Sequence, residues 1–203
     1  MSESKNEYAK RIRERSHLKY FFGLIIRAWI GFQYWRAVRI ARKRGATIGE
    51  GVSMPISLAK RMNSHVRIGN HVSISTNRFS VLLYDLSIGD NVIIGKNVKI
   101  QLGSHDIDSS TWDNIRKKGK LVIEDYVWLC PDSAILPGCQ HIGRGAVVGA
   151  NSVVVKDVEE MSVVSGWPAK ELRKRQCVHD GIYVETLSGN DFKLYRKLRK
   201  SNS

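Results

Sequence analysis

The chain has 203 residues, is 42% hydrophobic and carries a formal net charge of +14. That length gives one core with appendages, and the ordinary apolar share excludes disorder as a class. Residues 1–45 hold twelve Lys and Arg against three acids, residues 170–203 nine against four, and residues 46–169 twelve of each. A neutral middle with basic ends argues against nucleic-acid binding by the core and for charged arms facing an anionic surface or ligand. Cys130, Cys139 and Cys177 lack metal-ligand spacing, and no cleavable leader is expected from the polar, basic opening residues. The expectation is buried thiols in a reducing compartment, hence a cytoplasmic protein.

Taken in order, residues 1–17 are polar and basic without an apolar period. Residues 18–40 then hold seven of the chain's seventeen aromatics. Lys19, Arg27, Arg36 and Arg39 interrupt this stretch, and an arginine near mid-span costs about 2.5–3.5 kcal/mol on insertion. A helix over residues 18–44, closed by Gly45, is expected to do one of two things. It lies peripherally in a membrane interface, drawn to anionic lipid, or it packs its apolar side on the core or a neighbouring subunit.

From residue 46 a short period takes over. Ile123, Leu129, Ile135, Ile142, Val148 and Val154 recur at a six-residue step with one extra residue before Ile142, each followed four positions later by a small or β-branched residue. Positions six apart share no helical face, whereas a brief strand plus a tight corner fits, three such units closing one triangular coil. Earlier copies start at Ile48, Ile68 and Ile88, so the expectation is an all-β solenoid of about five coils spanning residues 46–169. An α-helical segment precedes it (1–45) and a basic extension follows (170–203), with a strand at 182–184 and a short helix at 192–198. Gly49, Gly51, Asn70, Asn91 and Asn97 suit corners that need left-handed or otherwise tight backbone. Residues 103–120 interrupt the third coil with a polar loop holding His105 beside Asp106 and Asp108, then Trp112. Long loops on rigid scaffolds commonly carry function.

The run from Ile123 to Val158, followed by SVVSGWPAKELRKR from Ser162, resembles the hexapeptide-repeat acyltransferases. It is most similar to bacterial surface-polysaccharide O-acetyltransferases and to maltose and galactoside acetyltransferases. The resemblance covers roughly residues 46–175. It implies a left-handed parallel β-helix, homotrimers, acetyl-CoA as acyl donor, a saccharide acceptor and no metal. His105 matches the catalytic histidine. Trp128, Pro131 and Ala150 match positions along the pantetheine arm, and Lys156 matches a further cofactor residue. Gly166, Pro168, Ala169 and Lys170 match the turn near the adenine, with Lys170 and Arg173 placed for CoA phosphates. Asn77 corresponds, with a two-residue difference in spacing, to an acceptor-site asparagine, and Trp112 is a second acceptor-site candidate. Where the family usually reads W-I-G-A-G, this chain has Trp128, Leu129, Cys130, Pro131 and Asp132, so the amide at 131 is missing.

Such chemistry needs a base to take the hydroxyl proton as the oxygen attacks the thioester. A histidine, with an unperturbed pKa of about 6.5, suits that role. Asp106 or Asp108 is a candidate to hold its tautomer. Cys130 reads as a small buried hydrophobe rather than an acyl carrier. His17, His65, His71, His141 and His179 read as plain exposed residues. The expected function is O-acetylation of a sugar hydroxyl on a surface polysaccharide or lipid-linked oligosaccharide. The alternative is acetylation of a small free sugar, amino sugar or xenobiotic. A zinc hydratase on the same scaffold would need three converging histidines, and the loop supplies only His105.

Overall fold

The computed structural model describes residues 4–80, 84–105, 108–111, 114–115 and 119–200. Among them, three mainly parallel sheets wrap a triangular prism. The first face stacks strands 47–48, 66–68, 85–88, 120–123 and 141–142, in that order. The second stacks 73–74, 93–94, 128–129, 147–148 and 162–166, and the third stacks 78–80, 99–101, 134–135 and 153–154. Ile48, Ile68, Ile88, Ile123 and Ile142 stand in register on the first face, and Ile74, Ile94, Leu129, Val148 and Val164 on the second. Nearly all are shut away from water. Each stabilises the prism by about 1.5–3 kcal/mol on burial, and only the end coils leave strand edges.

The corners carry the period. Between the first and second faces, His71, Asn91, Tyr126 and Met161 adopt φ near 60°, and Asn97, Asp132 and Asn151 do so between the second and third. Non-glycine residues seldom hold this conformation. Gly49 and Asn70 do not have positive φ. Asn70 works through its side chain: its Oδ1 accepts the Glu50 N–H at 2.9 Å, and its own N–H donates to Asp90 Oδ1 at 2.6 Å, one coil further on. The glycines beside this ladder are required by close approach. A Cβ on Gly69 would sit 2.8 Å from the Gly89 carbonyl carbon and 2.2 Å from Asp90 Oδ1. Gly69→Ala is therefore expected to destabilise the prism by about 1–3 kcal/mol, read by urea denaturation. Unchanged stability would show that adjacent coils can spread.

Both ends of the chain add helices. Helix α1 (Lys5–Arg13) opens with a capping box in which Ser4 and Glu7 bond reciprocally. It buries Tyr8 and Ile12, four positions apart, so residues 1–17 do contain an apolar pair on one helical side. Helix α2 (His17–Lys43) ends in a Schellman motif: the Gly45 N–H reaches the Arg42 carbonyl, the Ala46 N–H reaches that of Ala41, and Gly45 has φ +95°. Its C-terminal half places Ala37 and Ala41 in the prism core, together with Leu58 and Ala59 of the short helix α3 (Ile56–Ala59). After the last coil, strands 162–166 and 169–174 form an antiparallel hairpin. The expected strand at 182–184 does not form. Residues 184–187 make a 3-10 turn instead, and Tyr183 packs edge-on against Tyr8. Helix α4 (Phe192–Lys200) then seats Tyr195 with Tyr8 and Ile12 in a second, smaller apolar cluster. The two basic ends of the sequence thus meet in space.

Candidate active site

The arm that carries His105 leaves the prism where the third face turns toward the first. Strands Ser104–His105 and Asn114–Ile115 pair antiparallel, His105 opposite Asn114. Tyr84 fixes the root of the arm. A Cβ on Gly103 would come within 2.8 Å of the Tyr84 hydroxyl oxygen, and one on Gly119 within 2.5 Å of its ring. Both glycines therefore let the ring lie between the outgoing and returning strands. Gln101 Nε2 donates to the Gly103 carbonyl at 3.2 Å and ties the arm to the last strand before it. His105 is exposed. Asp108 is also exposed, whereas Asp106 and Trp112 lie outside the described residues.

The other candidates distribute over the prism. Trp128 projects outward from the second face between Ile93 and Val147, and is half-exposed. Pro131 and Ala150 follow at the edge between the second and third faces. There the Asn151 N–H donates to the Pro131 carbonyl at 3.1 Å, and the Asp132 N–H to the Lys96 carbonyl at 2.9 Å. Asn77 belongs to the same edge in the second coil. It is exposed, and its side-chain amide donates to Ser57 Oγ at 3.4 Å. Lys156 is exposed on the edge from which the His105 arm departs, after the third-face strand 153–154.

The hairpin places the remaining group. Gly166 (φ +103°) and Ala169 pair across its turn, Ser165 pairs with Lys170 and Val163 with Arg173. Ala169 is buried, while Pro168, Lys170 and Arg173 are exposed. Of the basic run, Lys174 is taken up by Glu159 and Ser162, both at 2.8 Å. Arg175 donates to the carbonyls of Tyr126 and Gly145. Lys170 and Arg173 are thus the exposed cations of this strand that suit phosphate contact. Trp167 is a further residue of this group that the motif match alone does not single out. It is 78% exposed at the hairpin tip, with its indole N–H bonded to the Asn151 carbonyl at the Pro131–Ala150 edge. A tryptophan inside a glycine–proline turn was the available signal.

Within one chain these groups fall into two sets. His105 and Lys156 occupy one edge of the prism. Pro131, Ala150, Asn77 and the hairpin turn gather at another, with Trp128 on the face before it.

The cysteines and other histidines differ in part from expectation. Burial pushes the thiol of half-buried Cys130 up, and that of Cys139 up to about 12 with a further contribution from Asp157, so neither suits a nucleophile. Cys177, expected to be buried, is exposed on the extension beyond the hairpin. His65, His71 and His141 are not plain surface residues: they pair with Asp85, Glu185 and Glu124. His179 is half-buried, its Nε2 2.7 Å from the Asn91 carbonyl, and burial holds its pKa below the usual value. Among the described residues no group of three or more His, Cys, Asp or Glu could hold a metal ion.

No family profile matches the chain. The galactoside O-acetyltransferase of Lactococcus lactis subsp. lactis (strain IL1403) is 29% identical over 164 residues, covering 78% of this chain and 71% of that enzyme. The galactoside O-acetyltransferase of Escherichia coli (strain K12) is 31% identical over 134 residues, 64% of either chain and so just under two thirds of its length. Among solved structures, the hexapeptide-repeat containing acetyltransferase VCA0836 from Vibrio cholerae is 25% identical with a TM-score of 0.51, covering 73% of this chain and 93% of that one. The repeat, the prism and these relatives agree: the chain is a homologue of the galactoside O-acetyltransferases and is similar in fold to a hexapeptide-repeat containing acetyltransferase.

Proposed function

We propose that the protein transfers the acetyl group of acetyl-CoA to a sugar hydroxyl of a surface polysaccharide or lipid-linked oligosaccharide, with His105 as general base. The observation that carries this reading is the exposed imidazole of His105, held on a pinned arm at the edge of a rigid prism. The imidazole takes the hydroxyl proton while the oxygen bonds to the thioester carbon. The C–S bond then breaks, and the sulfur leaves as the CoA thiol with the proton returned by the imidazolium. A corner N–H would steady the oxyanion, and Asp106 or Asp108 would orient the ring.

Because the two sets of candidates occupy different edges of one prism, the reading requires the site to form between copies. A homotrimer of left-handed β-helices would set the His105 edge of one against the Pro131–Ala150 edge and hairpin of the next. The exposed cations Lys156, Lys170 and Arg173 suit the phosphates of the donor. The acylation of a small free sugar is the second reading, and the galactoside enzymes among the relatives favour it.

The test incubates purified protein and acetyl-CoA with a free galactoside, a free amino sugar or a glycolipid-borne oligosaccharide. It follows thiol release and the acetylated product by mass spectrometry. The proposal expects a base-labile acetyl ester formed preferentially on the lipid-borne glycan. Preference for the free sugar favours the second reading, and an alkali-stable amide product excludes O-transfer.

A further inference from the structure

Helix α2 has two apolar sides, and the protein uses only one of them internally. The inner side carries Gly23, Ala37 and Ala41, all buried. Leu18, Phe22, Ile25, Trp29 and Phe32 follow one another at steps of four and three residues, which places them on one opposite side. They are 67%, 56%, 51%, 64% and 48% exposed. Fifteen residues of helix, about 22 Å at 1.5 Å per residue, thus present large hydrophobic side chains to the outside. A contiguous apolar stripe of this kind marks an interaction surface.

Charge selects the occupant. Beyond Phe32 the same side continues into the exposed cations Arg36 and Arg39, whose guanidiniums lie 5.9 Å from the Phe32 ring centre and 5.3 Å from that of Trp35. No Asp or Glu occurs anywhere from residue 15 to 49. A second copy laid against this side would bring arginine against arginine with no carboxylate of α2 to offset them. Among the described residues no helix is long and apolar enough to cross a membrane. The Arg27 side chain points inward to Asp191. The surface that matches both the apolar stripe and the acid-free cationic continuation is an anionic bilayer interface, into which such a helix sinks its apolar side while lying flat.

We propose that the outer side of α2 is a docking surface for an anionic lipid bilayer. The chain lies on the membrane through the Leu18–Phe32 stripe, with Arg36 and Arg39 against the headgroups. Because the C-terminal half of α2 packs on the first coil, the bilayer lies at that end of the prism. The inference goes beyond the acceptor reading and does not depend on it, since docking can fail while sugar acetylation stands, and the reverse.

The test is flotation of the full-length protein with vesicles of phosphatidylcholine, with and without phosphatidylglycerol. Truncation is unsuitable, because Ala37 and Ala41 belong to the prism core. The protein is expected to float with the phosphatidylglycerol vesicles and to stay behind with phosphatidylcholine alone. The Arg36→Glu/Arg39→Glu variant should lose about tenfold or more of its partitioning, and Ile25→Asp/Trp29→Asp should remain unbound. Both variants should keep their transfer rate on a soluble sugar, which shows that the fold is intact. Absence of flotation by the parent protein overturns the proposal, as does equal flotation of parent and both variants. A fall in oligomer mass caused by Ile25→Asp/Trp29→Asp also overturns it, because the stripe would then be a contact between copies.

Discussion

His105→Ala is expected to lower kcat/KM for acetyl transfer by about 10²–10⁴-fold, the usual contribution of a positioned general base, with an unchanged unfolding curve. The separation of the two effects follows from place. The side chain is exposed at the root of the arm, while the Tyr84 contacts that hold the arm involve Gly103 and Gly119. A variant that transfers acetyl at the parent rate removes His105 from the chemistry. A complementation experiment extends the prediction to the assembly. Lys170→Glu/Arg173→Glu alters the hairpin strand, away from the arm. Each variant alone should be weak, but unfolding and refolding them together should recover activity, because in the proposed homotrimer mixed assemblies would contain sites with an intact histidine and an intact hairpin. No recovery would mean that each chain completes its own site.

What was legible in the sequence was whatever the repeat enforces locally. The six-residue step at Ile123, Leu129 and Ile135 can be read because each aliphatic residue serves the same inward position, and the registers of Ile123 on Ile88 and Ile142 follow from it. The role of Gly69 was not legible, because a glycine kept for the approach of the next coil looks the same in sequence as one kept for its φ. Helix α2 was obscured for a related reason. With apolar residues both on the side that meets the core and on the side that faces out, its composition shows no separated face. The separation of His105 from the Pro131–Ala150 edge was hidden too, since motif matching records order along the chain and not which edge of a prism a residue occupies. Helix α1 was within reach: the Ser4 to Glu7 spacing is a capping-box signal.

The meeting of the chain's ends is the least local feature, and one buried charge, Asp191, lies within it. Asp191→Ala is expected to destabilise the protein by about 3–5 kcal/mol, the cost of removing one partner of a buried ion pair. The Asp191 side chain is 0% exposed and that of Arg27 18%. Arg27 Nε lies 3.0 and 3.1 Å from the two carboxylate oxygens, and the Tyr8 hydroxyl donates to Oδ2. Burial first, and then the Asp191 contact, hold the Tyr8 phenol well above its ordinary pKa. Arg27 also covers the Tyr195 ring at 4.1 Å. Removing the carboxylate therefore strands a guanidinium and a phenol among α1, α2 and α4 in one step. The measurement is urea denaturation of Asp191→Ala, Arg27→Met and the Asp191→Leu/Arg27→Met pair. The pair should be less damaging than the sum of its singles, because an apolar replacement leaves no charge without its counter-ion. If Asp191→Ala costs less than about 1 kcal/mol, on the scale of an exposed ion pair, the small Tyr8–Ile12–Tyr195 cluster joins the two ends by itself.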